Sequence, residues 1–190
     1  MEIQAEQLAY WYLRLNGFLT IPNFIVHPDQ GTNQGTDVDI LGVRFPYRAE
    51  LHPRPMTDDR IFARFANLYG EKSFVALAEV KAGLCTLNGA WTNPDKQNMH
   101  RVLRALGVVP MHEVEMVATA IYKLGCYSNQ LYHISMVCVG QEENPYINEN
   151  YPQVPQIPWD QVLRFIYRRF RDFRNQKVAH GQWDQQGRDL

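Results

Sequence analysis

Apolar and polar positions along this chain alternate between a helical period near 3.6 and a strand period of 2, and the switches outline its elements. Ile3 to Asn16 follows the helical period, with Leu8, Trp11, Tyr12 and Leu15 on one stripe and Gly17 placed to end it. Phe18 to Val26 reads as a strand interrupted by Pro22, and residues 27–35 as a polar turn. A second strand is expected from Thr36 to Phe45. Prolines then break the chain between Pro46 and Pro55, and Ile61, Phe62, Phe65 and Leu68 mark a helix from Asp58 to Leu68. A third strand runs from Phe74 to Lys81 and stops at Ala82-Gly83. Residues 85–93 read as a loop, and Asn93-Pro94 supplies an N-cap and a first-turn proline for a helix through Arg104. Met111 to Leu124 reads as a helix, and Leu131 to Val139 as a largely apolar strand. Residues 141–157, acidic and proline-rich, read as a surface loop. The last element is a helix at 158–177, with Leu163, Ile166, Phe170 and Phe173 as its apolar stripe and Arg164, Arg168 and Arg171 alongside. The tail from His180 to Leu190 is polar and expected to fray.

Two of these strands carry charge where a buried strand should carry none. Asp37 and Asp39 alternate in Thr36-Asp37-Val38-Asp39-Ile40-Leu41, and Glu79 and Lys81 alternate in Leu77-Ala78-Glu79-Val80-Lys81. Alternate strand residues share a face, so each pair points one way. Carboxylates and a lysine set among Val, Ile, Leu and Phe cost desolvation unless something compensates. A divalent cation between Asp39 and Glu79 would compensate, because hard cations take oxygen ligands.

Composition narrows the classes. The 190 residues suit one domain, 1–190, with its core at about 1–140. Hydrophobic residues at 45% and charged residues at 21% describe an ordinary globular composition. No run approaches the ~20 apolar residues that cross a bilayer, and the opening Met1-Glu2-Ile3-Gln4-Ala5-Glu6 is acidic where a signal peptide is basic. The expectation is a cytoplasmic chain with no membrane partner. Cys85, Cys126 and Cys138 are scattered and odd in number, which suits buried free thiols. A formal net charge of −1 argues against a tight, non-specific nucleic-acid binder working alone. It leaves room for a domain recruited by a partner, or for basic residues gathered on one face. There is no Gly-rich phosphate loop, Gly-X-Ser-X-Gly or His-Glu-X-X-His. His112, His133 and His180 lack ligand spacing and read as structural.

Asp39 on one strand and Glu79-Val80-Lys81 on the next resemble the PD-(D/E)XK nuclease superfamily, which has a restriction-endonuclease-like core. By element order the resemblance runs from the first helix to the strand near residue 139. The long segment from Pro46 to Ser73 departs from the short hairpin of many members. The fold implied is α/β, a mixed central sheet flanked by helices, with an added C-terminal helix. The activity implied is metal-dependent hydrolysis of phosphodiester bonds in nucleic acid, DNA ahead of RNA, with magnesium or manganese. The resemblance makes Asp39, Glu79 and the Val80 carbonyl metal ligands and gives Lys81 the attacking water. Burial beside a cation lowers the pKa of Lys81 while carboxylates raise it, and the sequence leaves that balance open. Glu6, on the helix before the sheet, joins the catalytic set. Lys96, Arg101 and Arg104 border the substrate in such a fold, and Trp91 is placed to stack on a base.

Each residue also has a plainer reading. Asp39, Glu79 and Lys81 could form an edge-strand salt bridge. Glu6 also favours the helix macrodipole. Asp37 suits a turn exit. Lys96, Arg101 and Arg104 suit a solvated helix face, and Trp91 a core. The alternative function is a catalytically inactive nuclease-fold module that binds nucleic acid or a protein partner within a larger complex, with a homo-oligomer also open.

Overall fold

A computed structural model describes residues 4–27 and 36–177. The turn expected at 27–35, beyond His27, and the tail from His180 lie outside the described residues. The chain forms a mixed six-stranded sheet with helices on both faces. Helix α1 (Ala5–Leu15) leads into β1 (Leu19–Val26) and β2 (Thr36–Arg44). Helix α2 (Arg60–Tyr69) then precedes β3 (Ser73–Val80). After β3 come a single turn, α3 (Gly89–Thr92), and two longer helices, α4 (Asn98–Leu106) and α5 (Val114–Leu124). The second half ends with β4 (Cys126–Ser128), β5 (Tyr132–Gly140), α6 (Pro145–Asn150), β6 (Gln156–Pro158), α7 (Trp159–Asp172) and α8 (Arg174–Lys177). The spatial order is β1-β2-β3-β5-β4, with β6 beside β5. Strands β3, β5 and β6 are parallel, and the other pairings are antiparallel.

Two hydrophobic layers enclose the sheet. Helices α4 and α5, with α3, pack Trp91, Met99, Leu103, Val117 and Ile121 against Leu41, Val75 and Leu77. Helices α1, α2 and α7 pack Tyr12, Leu13, Phe62 and Phe165 against Ile40, Ala76, Ala78 and Val80. Every residue of β5 and all but the first of β3 are therefore buried, as expected for parallel strands covered on both faces. Glu79 lies inside this layer by position alone.

Strand β2 turns at Asp39. Val38 and Ile40 would share a face by simple alternation, yet they belong to opposite layers. Across the ladder Asn23 has φ of 50°, a left-handed conformation that Asn tolerates, and the Asn23–Asp39 rung is missing. Pro22 does not interrupt β1; it sits opposite Ile40 on an edge strand, where a missing N–H is tolerated.

Several expected elements differ. The helix expected from Asn93 to Arg104 is broken. Asn93 caps a 3-10 turn at Pro94–Lys96, Gln97 adopts φ of 53°, and α4 begins only at Asn98. The loop at 85–93 contains α3. The helix from Met111 opens as a 3-10 turn before α5. Residues 141–157 fold back as α6 and β6, burying Ile147, Val154, Gln156 and Ile157. Their polar composition hid this, because Gln156 and Asn144 satisfy one another's backbone and side-chain groups. The final helix buries Val162, Phe165, Ile166 and Arg169, whereas Leu163 is 50% exposed. Arg169 is buried because Thr57 O accepts from its Nη2 at 2.7 Å and the carboxylates of Asp58 and Glu50 lie nearby. All three cysteines are buried free thiols. No described helix is long and apolar enough to cross a membrane.

Candidate active site

Strands β2 and β3 pair antiparallel, with Ile40 opposite Ala78. One step further along both strands lie Asp39 and Glu79, so the register alone sets the two acids side by side. Here the strands part, and the Asp39 side chain replaces the missing backbone rung: Val80 N donates to Asp39 Oδ2 at 2.7 Å. Glu79 is 2% exposed. Trp91 Nε1 donates to its Oε1 at 2.5 Å, and Lys81 Nζ lies 2.7 Å from its Oε2. Lys81 keeps its head partly in solvent, and Trp159 Nε1 donates to its carbonyl at 3.1 Å where the strand leaves the sheet.

The electrostatics follow from burial. Desolvation pushes the Asp39 carboxyl above its ordinary range, against the opposing pull of the Val80 N–H and Lys81. Desolvation also raises the Glu79 carboxyl, and here Lys81 and then Trp91 oppose it. At Lys81 burial acts to lower the pKa, but Glu79 and Asp39 outweigh it and the net direction is up. The balance left open by the sequence therefore falls to the carboxylates, and Lys81 is an ammonium. Cys138, opposite Glu79 in the β3–β5 register, has its thiol pushed up by burial and donates to Thr86 O at 3.3 Å, so it is no nucleophile.

The other expected residues fall in different places. Glu6 is exposed on the first turn of α1, and no hydrogen bond or ion pair among the described residues joins it to Asp39, Glu79 or Lys81. Asp37 is half-buried on β2, close enough to raise the Asp39 pKa. Among the described residues no group of three or more His, Cys, Asp or Glu side chains is assembled to hold a metal. Asp39 and Glu79 form a pair. A pair still fits magnesium, which is commonly held by one or two carboxylates and completes its shell with water and phosphate. Val80 contributes its amide to Asp39. Lys96 is exposed, and its carbonyl accepts from Arg101 Nη1 at 2.7 Å; Arg101 also donates to Asn98 Oδ1 at 3.2 Å, which ties it to the start of its own helix. Arg104 is exposed in the last turn of α4, where a cation suits the macrodipole.

Trp91 requires a correction. At 3% exposed, within the layer beneath α4 and α5, its ring faces cannot stack on a base. Its partner is Glu79. The signal was present in the sequence: a lone Trp among Asn, Gly and Thr is a buried anchor, and a buried indole N–H needs an acceptor. Trp159, which holds the Lys81 carbonyl, carried no such signal, because nothing local links positions 78 residues apart. No family model matches the chain, and no curated protein or solved structure matches it either.

Proposed function

We propose that this chain is a metal-dependent nuclease of the PD-(D/E)XK type that hydrolyses phosphodiester bonds of nucleic acid, DNA before RNA. The observation that carries this reading is the pairing of two partly desolvated acids on neighbouring strands, with an ammonium 2.7 Å from one of them. Asp39 and Glu79 would hold magnesium or manganese, with the Val80 carbonyl as a further ligand. When bound, such an ion polarises the scissile phosphate and lowers the pKa of water. The protein's own groups divide the remaining work. The Val80 N–H fixes the Asp39 rotamer. Lys81, as an ammonium, donates hydrogen bonds to the attacking water or to a phosphate oxygen; it has no lone pair with which to take the water's proton. Lys96 and Arg104, exposed beyond the site, supply positive charge for the backbone.

Turnover on single- and double-stranded DNA and RNA with magnesium tests the proposal, with Asp39→Ala and Lys81→Ala as controls. Both substitutions are expected to abolish cleavage. Activity that survives both removes this site from consideration.

A second reading has its own observation. Glu79 Oε1 already accepts from Trp91 and Oε2 is ion-paired with Lys81, and among the described residues no third acid joins the pair. A module that keeps the fold and acts by binding nucleic acid or a protein would look the same. A manganese titration read by melting temperature separates the two readings, since an ion that binds only the folded chain raises the midpoint by mass action.

A further inference from the structure

The two oxygens of Glu79 are held in different ways. Oε1 faces a rigid donor. Trp91 sits on α3, whose single turn is closed by Trp91 N donating to Asn88 O at 2.9 Å and Asn93 N to Gly89 O at 3.2 Å. The turn is tied to α4 by Asn98 Nδ2 donating to Ala90 O at 3.2 Å. The indole is packed in the same layer as Met99 and Leu103 and has no room to follow a moving carboxylate. Oε2 faces a movable donor. The Lys81 side chain is 24% exposed, carries four rotatable carbons, and can swing its ammonium into solvent. A phenylalanine keeps most of the apolar contact at position 91 and lacks the N–H, so the hydrogen bond is largely separable from the packing.

We propose that Trp91 is a positioning residue: it pins Oε1 of Glu79, so that Oε2 is the oxygen that exchanges the Lys81 ammonium for a divalent cation. This rests on the cation site argued above and assigns the two oxygens of its buried acid. Partners that orient a ligating group from behind typically contribute 10–100-fold in metal affinity.

Manganese titration calorimetry on the wild-type chain and on Trp91→Phe tests the assignment, with a melt confirming that the variant is folded. The expected result is a dissociation constant weakened by about 10–100-fold in Trp91→Phe. A second readout is the Trp91 indole N–H resonance in a nitrogen–proton spectrum, assigned through its sequential neighbours. It is expected to shift on magnesium addition and to saturate with the dissociation constant that magnesium calorimetry gives. Equal manganese affinity in folded Trp91→Phe overturns the positioning role and leaves the cation site standing. Absence of manganese uptake by the wild type removes the site and this inference together. If Trp91→Phe does not fold, the resonance alone answers: an indole signal that stays fixed while magnesium saturates overturns the proposal.

Discussion

Among the described residues two clusters of charged side chains are at least partly buried, and they are built in opposite ways. One holds α7 to the segment before α2. Arg44 and Arg48 pair with Asp58, Arg48 reaches Glu50 at 2.6 Å, and Arg169 lies within 4 Å of both acids while donating to Thr57 O. Three guanidiniums thus meet two carboxylates, with a backbone carbonyl and the Met56 sulfur taking the remaining Arg169 donors. The other is the strand pair of Asp39 and Glu79, where two acids share one ammonium. Desolvation raises both carboxyls there despite Lys81. The first cluster pairs each of its charged groups within the chain and serves cohesion. The second is short of positive charge, and the proposed cation site rests on that shortage.

If that contrast is right, substitutions in the two clusters should act on different observables. The largest effect is on turnover: Asp39→Ala should slow cleavage at least a thousandfold, about 4 kcal/mol on the barrier. Its melting temperature should change little, because relief of an acid that desolvation penalises offsets the loss of the acceptor for Val80 N–H. Equal loss of stability and activity would place Asp39 with the cohesive cluster. Next is Arg169→Met, which takes away the buried guanidinium that Thr57 O, Asp58 and Glu50 share. Denaturant melts should show a loss of roughly 3 kcal/mol, with no specific effect on metal affinity. A stable Arg169→Met chain would break the comparison from the other side.

Smaller effects sharpen it. Manganese at a hundred times its dissociation constant should stabilise the wild type by about 2.7 kcal/mol, and should leave the melting of Asp39→Asn unmoved. The least is in the pH profile. Asp39 and Glu79 bind their protons more tightly folded than unfolded, so their contribution is fully present below the ordinary values of 3.8 and 4.5. It is lost as pH rises through the raised values. His133 runs the other way. Burial pulls its imidazolium down to about 4 from 6.5, so its contribution appears as pH rises across that interval. The difference between urea melts of wild type and Asp39→Asn cancels His133 and should fall as pH rises above 4.

Much of this was legible in the chain. The turn of β2 at Asp39 breaks the alternation expected to set Asp39 beside Asp37, whereas period 2 did place Glu79 with Lys81, and the apolar flanks required burial. Those are local properties, set by backbone geometry and side-chain chemistry within a few residues. The order of helices and strands was legible from the periods, and the mixed sheet flanked by helices was what the family resemblance implied. The helix at 158–177 was legible as an element but not in its buried face, since Arg169 is turned inward by partners more than a hundred positions away. Residues 141–157 read as polar because their polar groups satisfy one another out of sequence view. Tertiary structure alone set the Ile40–Ala78 register that brings the acids together, left Glu6 on the surface, and turned Trp91 from a base-stacking candidate into the donor behind Glu79. The physical reason is the same in each case. A sequence carries periodicity and chemical type at short range, whereas which strand lies beside which, and which donor a buried carboxylate meets, follows from packing among distant segments.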